Sequence, residues 1–358
     1  MQKPVFFIAE AGVNHNGSLD LALQLVDVAA EVGADAVKFQ TFKADKLATS
    51  SAAKAEYQVT NTHQTGSQLE MLRRLELAPE DHEILLSHCH KRDIGFMSTA
   101  FDEESLSMLA KLAMPAIKIP SGDINCGPML LQAASLRQKL IVSTGMSTLS
   151  DIEQALGVIA FGLISDATPT GRRDFEAAYS SDAGRHALTE YVTLLHCVTQ
   201  YPAPATAVHL RAMDTLRVAF DLPVGYSDHT LGIEVSIAAV ARGACVIEKH
   251  FTLDRSMPGP DHAASLEPSE LMHLVSAIRN VEQALGSTLK QPAMQEVLNR
   301  PIARRSVVAS CAIGCGETFT YDMLTCKRPG TGISPMDIWS LIGRRALRDY
   351  QPDDLIET

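Results

Sequence analysis

Short apolar, β-rich runs recur eight times between Val5 and Phe251, and most are followed by residues with helical spacing. "VFFIAE" (5–10) precedes "LDLALQLVDVAAEVG", whose Leu21, Leu23, Val26, Ala29 and Ala30 form one apolar helical face. The next runs are "AVKFQT" (36–41), "GFMSTAF" (95–101), "AIKIPS" (116–121), "KLIVST" (139–144), "VTLLHC" (192–197), "LPVGYSD" (222–228) and "CVIEKHF" (245–251). Helical patterns lie between most of them, and a long one near 267–286 closes the series. Near-continuously apolar strands alternating with helices indicate a parallel sheet buried on both faces. Eight such units predict a (β/α)8 barrel (a TIM barrel) rather than an open doubly wound sheet. No G-x-G-x-x-G or G-x-x-x-x-G-K-[ST] follows any of these strands, so the nucleotide-binding folds lose their main support.

Two segments depart from the alternation. Residues 164–190 are polar, carry Gly and Pro, and read as an inserted loop or small helical excursion. Beyond the barrel (1–287) the pattern becomes a linker (288–303). Short β-like pieces such as "SVVASCAI" and "MLTCKRPG" then predict a small separate domain over 304–358. Of 358 residues, 46% are hydrophobic and 20% charged, which suits a globular protein with a large core. The net charge of -11 gives no general reason to expect nucleic-acid or membrane-surface binding. The N-terminal stretch lacks a signal-peptide pattern, and no apolar run approaches the roughly 20 residues that span a bilayer. Seven scattered cysteines point to reduced thiols, with Cys311 and Cys315 structural, and the cytoplasm is the expected compartment.

Barrel enzymes carry their chemistry at the C-terminal ends of the strands. Here those ends hold Glu10, Lys38, Gln40, Ser98, Thr99, Lys118, Ser121, Ser143, Thr144, His196, Asp228, His229, Glu248 and His250. Any single Ser or Thr could cap a helix or satisfy a turn; one such residue at strand end after strand end suggests a common rim. Lys38 and Lys118 interrupt apolar strands, and a buried lysine is rare unless paired or used. With Ser121 and Ser143 they suit a phosphate and a carboxylate, while Schiff-base chemistry on one lysine is the rival. His229 and His250 end successive strands and could hold Mn, Fe, Co or Zn, or could be two satisfied core histidines. Asp228 and Glu248 are candidates to orient them, and His15 and His262 are weaker candidates for extra ligands. Lys249, on the opposite face of its strand, reads as structural.

The chain resembles the bacterial sialic acid synthases nearly end to end. The resemblance is carried by "AEAGVNHNGS" (9–18), "AVKFQTFKADKL" (36–47), "KAEYQ" (54–58), "SQLEML" (67–72), "STAFDEES" (98–105), "KIPSGD" (118–123), "STGM" (143–146), "LHCVTQYP" (195–202), "GYSDHT" (225–230), "EKHFTLDRSMPGPDHAAS" (248–265) and "KRPGTGISPM" (327–336). It implies condensation of phosphoenolpyruvate with an N-acylated amino sugar, and a C-terminal antifreeze-like (SAF, β-clip) domain. It also implies a divalent metal on His229 and His250, Mn2+ first with Mg2+ or Co2+ as alternatives. By the same resemblance Glu10 and Asp261 lie by the reacting centre and amino sugar, with Gln40 and Tyr201 near the sugar. Lys38, Thr99, Lys118, Ser121 and Ser143 would hold phosphoenolpyruvate. Thr199 stands where some members have a phosphate-contacting Asn, and Asn61 matches a sugar-contacting Asn. Arg328 matches an arginine that reaches into the partner's barrel, implying a domain-swapped homodimer. The family often has Pro where Ala100 stands. For the acceptor, the "KAEYQ" and "SQLEML" blocks favour N-acetylmannosamine, giving N-acetylneuraminate. The alternatives are 2,4-diacetamido-2,4,6-trideoxymannose, giving a legionaminic acid, and more distantly a pyruvate aldolase or lyase.

Overall fold

The computed structural model describes residues 3–55, 58–59 and 66–357, which divide into two compact units, Met1–Gly286 and Ser287–Thr358. In the first, eight parallel strands close into a barrel in sequence order: β1 (Phe6–Gly12), β2 (Ala36–Thr41), β3 (Gly95–Ala100), β4 (Ile117–Ile119), β5 (Leu140–Ser143), β6 (Val192–Cys197), β7 (Val224–Asp228) and β8 (Val246–His250). β1 pairs with both β2 and β8, so Glu10 stands opposite Lys38 on one side and His250 on the other. The eightfold alternation of the sequence is thus a closed parallel barrel, as expected.

Period-two alternation sorts each strand into two layers. One set of side chains (Ile8, Ala36, Met97, Ala116, Ile141, Leu195, Val246) forms an apolar plug inside the barrel. Two residues further along most of these strands the same face carries Glu10, Lys38, Thr99, Lys118, Ser143, Cys197 and Glu248. A polar mouth therefore rests on an apolar floor. The opposite set, including Phe7, Ala9, Val37, Phe39, Ile119 and Ile247, packs against the outer helices in the main core.

Helices fill most of the gaps between the strands, including shorter ones at 44–47, 68–73, 205–208 and 212–220 beyond those that the apolar spacing predicts. In chain order they are α1 (Leu19–Glu31), α2 (Ala44–Leu47), α3 (Gln68–Arg73), α4 (Pro79–Lys91), α5 (Glu103–Leu109), α6 (Gly127–Ser135), α7 (Leu149–Ile164), α8 (Arg172–Ser180), α9 (Asp182–Tyr191), α10 (Ala205–Val208), α11 (Ala212–Phe220), α12 (Glu234–Ala241) and α13 (Pro268–Leu285). Ser18 caps α1, and a reciprocal Thr148–Asp151 box opens α7. The 164–190 excursion proves to be helical: α8 and α9 lie over α7, with Phe161 and Phe175 edge-to-face at 5.6 Å. That cover explains why α7 is apolar around most of its circumference, since a helix buried on several sides loses its polar face. Among the described residues no helix is long and apolar enough to cross a membrane.

In the second unit, residues read as linker include a helix, α14 (Met294–Ala303), before an antiparallel pair, β9 (Ser306–Ala309) and β10 (Leu324–Lys327). Val307, Phe319, Leu324, Leu341, Tyr350 and Ile356 are among the residues of its own small core. Arg328 is exposed there and donates from Nε to the Ala303 carbonyl at 3.0 Å.

Candidate active site

Four charged side chains meet at the mouth, all nearly inaccessible to solvent. Lys38 Nζ lies 2.6 Å from Glu10 Oε2, donates to Thr99 Oγ1 at 2.7 Å and stands 3.6 Å from Glu248 Oε2. Lys118 Nζ lies 3.0 Å from Glu248 Oε1, which also accepts the Ser227 hydroxyl at 2.8 Å. The lysines anticipated as unusual inside apolar strands are therefore ion-paired. Burial pulls Lys38 down, but Glu10 and Glu248 outweigh it and hold the ammonium above its ordinary range. The two glutamates divide. Burial pushes Glu10 up to about 7, with Lys38 opposing and Glu248 assisting. Burial also works against ionisation of Glu248, yet Lys118 and Lys38 together hold it below the usual carboxylate range. One carboxylate stays charged, and the other is poised to gain or lose a proton near neutrality.

Beside the lysines is a hydroxyl-rich recess. Gly145 N–H donates to Ser121 Oγ at 3.0 Å, and Ser121 lies 3.1 Å from Cys197 Sγ. A Cβ on Gly145 would come within 2.2 Å of Thr199 Oγ1 and 2.9 Å of Ser121 Oγ, so glycine is sterically required beneath these groups. Ser143 Oγ is buried and has no hydrogen-bond partner among the described residues.

The two strand-end histidines converge on the same mouth with ring centroids 5.7 Å apart. Tyr201 stacks near His229 at 4.2 Å and meets His250 edge-on at 5.8 Å. His229 Nδ1 donates to the Val198 carbonyl at 2.6 Å, which fixes the tautomer and leaves Nε2 with a lone pair. Burial lowers both imidazoles, keeping them neutral, and His250 Nδ1 is buried with no partner among the described residues. Two neutral imidazoles, one of them with an unpaired buried nitrogen, fit a divalent cation. Gln40 Nε2 reaches Glu10 Oε1 at 3.4 Å. Asp261, on the loop after β8, is 7% exposed, and burial raises its carboxyl to about 6.

Several sequence expectations are redirected. Asp228 does not touch an imidazole: it points outward from β7 to Lys249, 3.0 Å away. Glu248 serves the lysines rather than His250. His196 also faces outward, bonded to the Val208 carbonyl at 2.6 Å. His15 and His262 lie apart from His229 and His250, and among the described residues no set of three or more metal-ligating side chains gathers. Asn61 lies outside the described residues. Cys197 and Ser227 line the mouth but escaped notice, although extending the inward phase from Leu195 and from His229 selects both.

A match to the NeuB family model covers residues 25–290, and a SAF domain model matches 304–358. The chain belongs to the NeuB family. Within that family it is 47% identical to an N,N'-diacetyllegionaminic acid synthase of Campylobacter jejuni, over 99% of both chains. A Legionella pneumophila protein of the same name is 46% identical, over 95% of this chain and 90% of the relative. Among solved structures, an N-acetylneuraminic acid synthetase of Leptospira borgpetersenii, in complex with citrate, shares 32% identity with a TM-score of 0.66, covering 83% of this chain and 90% of that one. All three of these relatives are named as synthases or a synthetase, so the mouth belongs to an enzyme of the NeuB family. The two relatives named for N,N'-diacetyllegionaminic acid stand nearer in identity than the N-acetylneuraminic acid synthetase, and they side with the alternative reading of the sequence rather than with the one put first.

Proposed function

We propose that this enzyme condenses phosphoenolpyruvate with 2,4-diacetamido-2,4,6-trideoxymannose, giving N,N'-diacetyllegionaminic acid and phosphate. One observation carries the reading: two buried, charged lysines stand beside an unpaired serine hydroxyl and two neutral histidines at the mouth of a closed barrel. Lys38, Lys118, Thr99, Ser121, Ser143 and Thr199 hold the phosphate and carboxylate, and their dipoles and charges offset the dianion as the reaction proceeds. Gln40, Tyr201 and Asp261 hold the sugar. C3 of the enol attacks C1 of the open-chain aldehyde, forming the C–C bond while water adds to C2. The water gives up one proton and the aldehyde oxygen takes one. The tetrahedral intermediate then releases phosphate by C–O cleavage, leaving the nine-carbon 2-keto acid. Glu10 moves these protons, since its carboxyl changes state near neutral pH. A divalent cation on His229 and His250, Mn2+ by preference, would supply Lewis-acid polarisation of the aldehyde oxygen.

The Schiff-base lyase reading requires a neutral lysine, whereas Glu10 and Glu248 keep Lys38 charged. The apolar side chains exposed on α14 and beyond it (Met294, Leu298, Ile302, Met336, Trp339) support a homodimer in which the second unit, with Arg328, meets a partner. The decisive assay is phosphate release from phosphoenolpyruvate with each sugar, with the product weighed by mass spectrometry. Release at least tenfold faster with the trideoxy sugar is expected. Faster turnover of N-acetylmannosamine overturns the acceptor, and a borohydride-trapped adduct with pyruvate overturns the reaction.

A further inference from the structure

Asp261 has no hydrogen bond to its carboxylate among the described residues, so its place in the mouth depends on the loop that carries it. That loop, Phe251–Leu266, is tied to residues at the other end of the barrel sequence. Asn14 Nδ2 donates to the Phe251 carbonyl at 2.7 Å and to Ser265 Oγ at 3.0 Å, and Ser265 Oγ in turn donates to the Asp261 carbonyl at 2.7 Å. Asn16 Nδ2 donates to the Pro258 carbonyl at 2.9 Å, which fixes its amide so that Oδ1 faces His262 Nε2 at 3.3 Å. His262 Nδ1 lies 2.6 Å from Thr252 Oγ1. Because Asn16 offers only an acceptor, Nε2 carries the proton and Nδ1 accepts the Thr252 hydroxyl. A neutral imidazole therefore bridges the base of the β8 loop and the β1 loop. It is fully enclosed, and burial keeps it neutral by lowering it to about 4.

Packing points to the same contact independently. A Cβ on Gly259 would come within 2.5 Å of His262 Cδ2 and 2.8 Å of Asn16 Oδ1. The backbone two residues before Asp261 is thus pressed directly onto the His262–Asn16 contact.

We propose that His262 is a positioning residue: its imidazole, held between Thr252 and Asn16, clamps the β8 loop so that Asp261 faces the acceptor sugar. The inference rests on the reading of Asp261 as a sugar contact. Support of this kind governs how well a binding group is preorganised, so its loss falls on one substrate rather than on the fold.

The test uses the full-length, Mn2+-loaded enzyme, with phosphate release measured against phosphoenolpyruvate and 2,4-diacetamido-2,4,6-trideoxymannose. H262A and N16A are expected to raise KM for the sugar about tenfold. KM for phosphoenolpyruvate should stay within about twofold, and amide exchange over 251–266 should accelerate. H262Q, which keeps a donor near Asn16, should restore most of the sugar affinity. N16A, at a half-buried position, tests the clamp even where H262A fails to fold. Unchanged amide exchange over 251–266 in N16A overturns the clamp. Faster exchange with an unchanged sugar KM, while D261N raises that KM, overturns the positioning role. If D261N leaves the sugar KM unchanged, the reading of Asp261 has failed and the positioning role falls with it, even where exchange shows the loop tie itself.

Discussion

Two buried ionic clusters lie back to back across the β7–β8 wall, and they are finished differently. Outside the barrel, Asp228 is saturated: it accepts from the Thr230 amide at 2.9 Å, the Thr230 hydroxyl at 2.7 Å, Ser236 at 2.6 Å and Tyr226 at 3.3 Å, and pairs with Lys249 at 3.0 Å. Lys249 Nζ also donates to the Thr230 carbonyl at 2.5 Å. Inside, among the described residues, Ser143 Oγ, His250 Nδ1 and Glu248 Oε2 have no hydrogen-bond partner. Buried polar groups are normally satisfied, and leaving one unpaired costs about 1–3 kcal/mol. The outer cluster therefore completes the fold, while the inner one keeps unpaired polar groups at the mouth. Successive residues of one strand, Glu248 and Lys249, take opposite sides of that division.

The comparison is broken most severely from outside. Lys249→Met strands a buried carboxylate, and breaking such a pair typically costs about 3–5 kcal/mol. Denaturant unfolding should show that loss, and Lys249→Met with Asp228→Asn should recover most of it. Below its lowered transition the single variant should keep kcat within about tenfold of the parent, because none of the outer groups faces the mouth. A variant as stable as the parent would remove the distinction between the clusters.

Lys118→Met is the converse. Glu248 keeps Ser227 and the neighbouring Lys38, so stability should fall by only about 1 kcal/mol. Phosphate release, however, should drop by about 10^2–10^3-fold in kcat/KM, the scale on which one charge-stabilising donor acts.

Glu10 sharpens the contrast through pH. Its folded carboxyl titrates at about 7 against an ordinary 4.5, because burial disfavours the charge. The native state therefore holds this proton more tightly than the unfolded chain. The associated stability is fully present below about pH 4.5 and is lost as pH rises through 7. Glu10→Gln removes that slope. Between pH 5 and pH 8 the variant should gain on the parent by at most roughly 3 kcal/mol in thermal or denaturant unfolding, while losing activity. Parallel pH curves for the two proteins would show that Glu10 is not held in this state.

The inner cluster was largely legible in the sequence because its determinants are local. Lys38 in "AVKFQ", Lys118 in "AIKIP" and Glu248 in "VIEKHF" interrupt apolar runs, and period-two alternation assigns each a face. Alternation also separated Lys249 from His250, which is why a structural reading of Lys249 was within reach. The partners were not legible. Asp228 ends β7 beside His229, and only the phase of that strand reveals that its carboxylate points away from the imidazoles. The contact between Asn16 and His262 spans 246 positions and exists because the barrel closes β8 onto β1. No local pattern encodes it. For 164–190 the sequence left a loop and a small helical excursion both open, since α8 and α9 are polar on most of their surface and take their place from packing on α7.

The smallest test concerns Gly12, where β1 bends at the edge of the mouth with φ of +54° and the β1–β2 register slips. A side chain in that left-handed conformation costs about 1 kcal/mol. Its Cβ would also lie 3.3 Å from His250 Cε1 and 3.4 Å from both Gln40 Nε2 and Glu10 Oε1. Those distances are tight rather than prohibitive, so Gly12→Ala should fold with a loss of about 1 kcal/mol by denaturant unfolding. Because the added methyl presses on the histidine and on the groups proposed to meet the sugar, the KM for the sugar should rise severalfold, with that for phosphoenolpyruvate nearly unchanged. An equal rise in both would place the phosphate recess, rather than the sugar side of the mouth, next to Gly12.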